Sequence, residues 1–252
     1  MEKVITCSMS REDVEKDCIE WAKEIASVYQ PDLLIFIAKS GFLFAKPMVS
    51  VFGCQMAEIA ASRPQSAAKD RAGDIIRHIP EKIILTILSS PFMYWFHEHK
   101  RERKIKVPDR LVQEAERPHH KILLVDDSVD TGWTIFHVKK IIRTYFPQAE
   151  VKTAGYALIE YSRKRVEVDF YRHKNKVILT ATSRKSKQYD GFIRDYELLK
   201  LMPEGISLRS SKSPAGECPQ CGHSPYGLEM RQGGSGRRTS KVYARGHFAK
   251  EF

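Results

Sequence analysis

Asp126, Asp127 and Asp130 crowd one short stretch, and Thr131, Gly132, Trp133 and Thr134 follow at once. Threonine hydroxyls and backbone amides opened by a glycine, at the start of a helix, form a phosphate cradle. Two adjacent carboxylates beside that cradle would repel the phosphate itself. They suit the hydroxyls of a sugar attached to it, or a bound magnesium ion. A second turn, Lys39-Ser40-Gly41, offers a cation and small residues that let backbone approach an anion, although a plain strand–helix turn with a surface lysine has the same composition. A third group, Cys218, Cys221 and His223, has the spacing of one zinc knuckle, in which a tight turn presents two thiolates to one ion. No second Cys-x-x-Cys exists, so a fourth ligand would have to be His247 or come from a second subunit; two free thiols or a relic knuckle without metal is the other reading.

These groups need elements to hold them. The aliphatic run at 122–125, bounded by polar residues, predicts a buried strand of a parallel sheet ending in Asp126 and Asp127. A loop then carries Asp130 to Thr134, and a helix is expected over 135–146. Open α/β sheets place ligands beyond the carboxyl ends of their strands, which is where these side chains would stand. Another buried run at 33–38 leads into the Lys39 turn. A helix over 42–52 follows, with Pro47 predicting irregular first turns, and then a strand over 55–60. Upstream, Ser10 with Asp13 resembles a capping box, and Val14, Cys18, Trp21, Ala22, Ile25 and Val28 recur at helical spacing until Pro31. Downstream, a strand is expected over 151–159, a basic turn at Arg163, Lys164 and Arg165, and a pair of strands at 166–171 and 177–182 joined by polar residues 172–176. A final helix or an irregular cover over 189–201 closes the series.

Read in order, residues 122–134 give four hydrophobic positions, two acidic ones, a variable pair and then Asp-Thr-Gly-x-Thr. The stretch resembles the phosphoribosyl-pyrophosphate (PRPP) motif of type I phosphoribosyltransferases, and in motif is most similar to purine-type members. Trp133 fills the variable x, where smaller or charged residues are more usual. The resemblance implies an α/β chain with the three-layer type I fold and a mostly parallel central sheet, from which this chain departs by a helical insertion at about 64–118 and a small C-terminal appendage. It places the phosphoribosyltransferase domain at 1–203, a mobile lid at 63–73, and a hood over the acceptor at about 160–203, alone or with the N-terminal helix. Residues 204–252 would be a flexible basic tail carrying the zinc knuckle. The implied reaction is magnesium-dependent transfer of phosphoribosyl from PRPP to a nucleobase-like acceptor, releasing pyrophosphate through a transition state like an oxocarbenium ion.

The resemblance also assigns roles. Thr131, Gly132, Trp133 and Thr134 would hold the 5′-phosphate, Asp126 and Asp127 the ribose hydroxyls, and Lys39, Ser40 and Gly41 the leaving pyrophosphate. Asp130 would lie near a purine imidazole nitrogen as general base or orienter, or would cap the following helix. It tilts the acceptor toward a purine. Against that, 6-oxopurine enzymes carry a lysine near the end of the next strand, where this chain has Glu160 and Tyr161 and no lysine until Lys164. Phe170 and Tyr171 supply rings that could stack on a base or pack in a core. The acceptor stays open.

At 252 residues the chain suits one α/β domain with appendages. Its formal net charge of +11 would concentrate any polyanion, or simply solvate the surface. Five cysteines, odd in number and unevenly spread, argue against a disulfide scaffold. The start lacks a signal-peptide pattern, and the best apolar run, 83–96, is interrupted by Ser89, Ser90 and Pro91, so a cytoplasmic protein without a membrane span is expected. Residues 75–99 read as helix divided by Pro80 and Pro91, apolar enough to need a core or a homodimer contact. The basic stretch 100–106 reads as a solvated strand or turn that could also contact phosphates. Basic residues in the tail (Arg231, Arg237, Arg238, Lys241, Arg245, Lys250) could touch nucleic acid, a use less favoured than solubilisation. No Walker loop or Gly-x-Gly-x-x-Gly motif appears, which disfavours nucleotide hydrolysis and dinucleotide redox chemistry. Two alternatives remain beside the enzyme on a nucleobase: a regulator sensing PRPP or a nucleotide, and phosphoribosyl transfer to a non-standard acceptor.

Overall fold

The two aliphatic runs at 33–38 and 122–125 become the two central strands of a six-stranded sheet, buried on both faces. The computed structural model describes residues 5–62, 103–159 and 166–201, with Pro80, Ile83 and Thr86 besides. All of these fall in one unit, Met1–Ser210. In chain order the elements are β1 (Ile5–Ser8), α1 (Arg11–Ala26), β2 (Leu33–Ala38), α2 (Gly41–Phe52), β3 (Gln55–Ser62), β4 (Lys104–Lys106), α3 (Asp109–Ala115), β5 (Lys121–Val129), α4 (Trp133–Tyr145), β6 (Glu150–Leu158), β7 (Phe170–Lys174), β8 (Lys176–Leu179) and α5 (Tyr189–Leu201). The expected lid at 63–73, the helical stretch at 75–99 save those three residues, the basic turn at 163–165 and the tail from 204 lie outside the described residues.

The large sheet runs β4-β3-β2-β5-β6-β7, parallel except for β4, which pairs antiparallel with β3. One face carries α1, α2 and α5 over a cluster that includes Trp21, Phe36, Phe44, Tyr156 and Tyr196. The other face packs α3 and α4 over Leu111, Leu124, Ile135, Val138 and Ile142. These are the three layers, around a mostly parallel sheet, that the resemblance implies. Each fully buried large apolar side chain contributes about 1.5–3 kcal/mol, so both clusters hold the sheet between its helices.

The helices begin and end where local chemistry directs. Ser10 caps α1: its hydroxyl accepts from the Asp13 amide at 3.1 Å and donates to the Asp13 carboxylate at 2.7 Å. Gly53 closes α2 at φ +65°, a conformation that costs glycine little. Pro47 sits inside α2 without dividing it, and the helix opens on i→i−3 bonds, from the Phe42 amide to Lys39 O and from the Leu43 amide to Ser40 O, each 3.1 Å.

The expected pairing of strands 166–171 and 177–182 is corrected. β7 instead joins β6 at the edge of the large sheet, and β8 turns away to pair in parallel with β1, a strand that hydropathy did not suggest. Buried Asn175, at φ +53°, makes the break between them. Its carbonyl accepts from the Ile5 amide at 3.0 Å and its amide donates to Leu158 O at 2.8 Å, which stitches the small sheet to the large one. A polar network fixes α1 over the same edge. The Asp17 carboxylate receives Tyr156 Oη at 2.8 Å, Arg172 Nε at 2.8 Å and Arg172 Nη2 at 2.7 Å, with His173 Nε2 at 3.1 Å. No helix among the described residues is long and apolar enough to cross a membrane.

Candidate active site

The two central strands part company at the carboxylates. β2 pairs with β5 only as far as Phe36 opposite Val125. β5 goes on, held by β6 alone, through Asp126 opposite Gly155 to Val129 opposite Leu158. The strand therefore does not end at Asp126 and Asp127, as its composition suggested, but carries both carboxylates and runs on to Val129. Acidic residues are poor strand formers, yet a ladder to one neighbour is enough to hold them extended. Strand order reverses between β2 and β5, so the parting opens a crevice at the switch point, where open α/β sheets bind ligands.

That crevice is a cleft of about 170 Å³. Ser40 and Ala38 line it from the end of β2, Asp126, Asp127, Ser128 and Asp130 from β5 and its loop, and Thr131, Gly132 and Thr134 from the start of α4. Ala61 and Arg103 close the side next to β3 and β4. Of the expected site residues, Asp126, Asp127, Asp130, Ser40, Thr131, Gly132 and Thr134 are thus brought together.

The others fall differently. Lys39 is exposed and does not line the cleft. Gly41 is buried beneath it, and a Cβ there would stand 3.1 Å from Val125 O, so its role is to let α2 approach the central strands. The peptide bond between Ala38 and Lys39 is cis. Trp133 turns from the cleft along α4, stacking on His137 at 5.8 Å and meeting Phe136 edge-on. Cys218, Cys221 and His223, with Glu160 and Tyr161, lie outside the described residues. Among the described residues no group of three or more His, Cys, Asp or Glu side chains is arranged to hold a metal by itself.

Charge in the cleft is unbalanced toward the negative. Asp126 is only 5% exposed. Burial pushes its pKa well above the ordinary carboxylate range, and the adjacent Asp127 charge pushes it further, against a backbone bond from the Asp127 amide to Oδ1 at 3.0 Å. Burial also raises Asp127, while hydrogen bonds from Asp126 and Ser40 pull the other way. Both acids are thus held above the ordinary carboxylate range, burial being the main cause for each. Positive potential comes from α4. Gly132 occupies its N-cap at φ +75°, no side chain caps the helix, and its first turn has no acid. Asp130 therefore does not fill the cap. The first amides of α4 face the site with the dipole favouring an anion.

Two residues of the site escaped sequence reading. Ser128, in the variable pair, lines the cleft because β5 stays extended past the carboxylates. Arg103 reaches it because β4 returns along β3, and its Nε donates to Thr134 Oγ1 at 3.1 Å. The basic run at 100–106 had suggested phosphate contact without saying which residue.

Gly155 also matters without touching the cleft. A Cβ built on it would lie 2.7 Å from Val129 Cγ2, inside any tolerable contact, and valine's branched side chain has few rotamers to escape into. Gly155→Ala is expected to destabilise by about 1–3 kcal/mol and to shift Val129 with the attached Asp130–Thr131 turn. Adding Val129→Ala should restore much of both stability and activity; thermal melts and turnover of the two variants check this.

A model of the phosphoribosyl transferase domain matches residues 10–187. The chain belongs to the phosphoribosyltransferase family. The match spans β2, β5 and the loop after it. Among solved structures, this phosphoribosyltransferase is similar to a purine phosphoribosyltransferase from Pyrococcus horikoshii, with 17% identity over 69% of this chain and 92% of that one and a TM-score of 0.45. A xanthine-guanine-hypoxanthine phosphoribosyltransferase from Helicobacter pylori gives 15% identity over 78% and 99%, with a TM-score of 0.48. A hypothetical protein from Neisseria gonorrhoeae with bound ppGpp gives 14% identity over 79% and 99%, with a TM-score of 0.49. No curated protein matches the sequence.

Proposed function

We propose that this phosphoribosyltransferase transfers the 5-phosphoribosyl group of PRPP to a nucleobase, a purine by preference, and releases pyrophosphate. The observation that carries the reading is the pairing, in one cleft, of an uncapped helix start at Gly132 with the buried carboxylates of Asp126 and Asp127. A phosphate binder needs only the first. The second suits a ribose, whose hydroxyls would donate to the carboxylates while their charge favours a cationic sugar ring.

The carboxylates also fit magnesium. They are hard oxygen donors, two like charges that burial drives toward protonation, and a cation relieves that conflict. Asp126 and Asp127 would hold the ion, which when bound neutralises charge on pyrophosphate and ribose oxygens. The remaining steps fall to the chain. Amides and hydroxyls of Thr131, Gly132 and Thr134 bind the 5′-phosphate and orient the ribose. Ser40, which lines the cleft, holds the departing pyrophosphate, and the neighbouring Lys39 is exposed and adds positive charge on that turn. Asp130, at the cleft wall and not at the helix cap, accepts a proton from the acceptor's ring nitrogen or orients that ring, which is why a purine is preferred.

Incubation with PRPP, magnesium and a panel of bases, following pyrophosphate release, tests the reading. Release dependent on a purine is expected. Release that survives joint Asp126→Asn and Asp127→Asn substitution would sink the site; release with pyrimidines alone would overturn the choice of acceptor.

A further inference from the structure

The cleft's own charges pose a problem for a ligand that is anionic at both ends. Three carboxylates, Asp126, Asp127 and Asp130, line it, and among the described lining residues Arg103 is the one cation. A phosphate monoester brought against the Thr131–Thr134 turn meets amides, hydroxyls and a helix dipole, and beside them a carboxylate wall. A nearby side-chain cation would offset that repulsion.

Arg103 is placed for this by strand alternation. β4 pairs with β3 through Ser62 opposite Lys104 and Ala61 opposite Ile105. Lys104 and Lys106 are exposed, whereas Ile105 packs on the cluster beneath α4. Arg103 shares the parity of Ile105, so its half-buried side chain is directed under the same helix. There its Nε donates to Thr134 Oγ1 at 3.1 Å, across 31 residues of sequence, in the first turn of α4. A hydroxyl that accepts from a guanidinium has its own proton to give elsewhere, and polarisation by the cation makes it a better donor. A guanidinium carries N–H groups in a fixed fork, so one bond to Thr134 and others to phosphate oxygens are compatible.

We infer that Arg103 supplies the side-chain positive charge for the 5′-phosphate of the sugar donor, with Thr134 holding its guanidinium beside the cradle. The inference rests on the donor-binding reading above and adds a recognition residue from outside the motif. Arg103 discriminates phosphorylated from unphosphorylated sugars and leaves the pyrophosphate end of the cleft alone.

Calorimetric titration of the full chain with ribose 5-phosphate, and separately with magnesium pyrophosphate, tests it in wild type, Arg103→Ala and Arg103→Lys. Arg103→Ala is expected to weaken ribose 5-phosphate by about tenfold or more, the size of a lost charge-assisted bond, and to change pyrophosphate by less than about twofold. Arg103→Lys, with charge but no fork, should fall between. If circular dichroism shows the alanine variant unfolded, Arg103→Gln replaces it with the same expectation. Ribose 5-phosphate binding that is unchanged, or that weakens in step with pyrophosphate, overturns the role of Arg103 while leaving the donor reading intact. Wild-type protein that binds pyrophosphate but not ribose 5-phosphate overturns both.

Discussion

Asp126→Asn is expected to make the protein more stable and catalytically far weaker. Asparagine keeps the Oδ1 acceptor that the Asp127 amide uses and fills the same volume, so the fold has no reason to object. What it removes is a buried acid whose pKa stands well above its unfolded value, through burial first and the Asp127 charge second. The sign follows from proton binding. Folded protein holds a proton on Asp126 that the unfolded chain releases near pH 4, so stability falls as pH rises from there through the raised folded pKa. The substitution abolishes that fall. Its stabilisation, on the order of 1 kcal/mol, should therefore be larger at pH 8 than at pH 4 in thermal melts. Loss of the carboxylate from a site built for a cationic sugar should lower turnover by about 10²–10³. A variant that loses both stability and activity would show that Asp126 supports the fold in its charged form, contrary to the account here.

Arg172→Ala should produce the largest loss of stability. Arg172 clasps Asp17 through Nε and Nη2 and reaches Glu24 with Nη1 at 2.8 Å, joining β7 to α1. Both partners of the central pair are about four-fifths covered, with side chains 21% and 17% exposed. Removing the arginine leaves the Asp17 charge with Tyr156 and His173 only, at a cost of about 2–3 kcal/mol, or roughly 5–10 °C in melting temperature. The pH dependence has a definite direction. Desolvation opposes ionisation of Asp17, but hydrogen bonds from Arg172 and Tyr156 outweigh it and hold its pKa below the usual value. Such a carboxylate stabilises fully above its unfolded pKa, near 4, and the contribution is lost as pH falls through the folded value. His173 is lowered by burial, against the pull of Asp17, so its cost begins earlier, as pH falls through about 6.5. Wild type should lose stability in both windows, and Arg172→Ala should flatten the lower one.

How far the sequence foretold these features depended on how local their cause was. Runs such as Leu33–Ala38 announce a strand buried on both faces, because nothing polar interrupts them, and the Ser10–Asp13 pairing announces a helix start within a few residues. The motif region was legible for the same reason: Gly132 and its neighbouring hydroxyls act through backbone geometry that the sequence spells out in order. The misses were non-local. β5 extends past its acids only because β6 lies alongside, and no residue in β5 says so. Residues 166–182 do hold two strands, but β7 occupies Phe170–Lys174, largely the expected link, and the partners of β7 and β8 were decided by β6 and β1, far off in sequence. Arg103 belongs to the same class, a basic residue in a basic run until pairing with β3 fixes which way it points.

The stitching at Asn175 has a consequence for the order in which the molecule is made. β1 pairs with a strand some 171 positions further along, and Ser8 bonds across that same separation to Leu179. On the ribosome β1 is born early and has nothing to pair with while the strands of the large sheet are synthesised. Contacts of such long separation form late, after loop closure has become affordable through the rest of the fold. The small sheet is thus a seal applied at the end of assembly, and a nascent chain halted before Lys176 would carry a complete donor loop with its first strand still unattached.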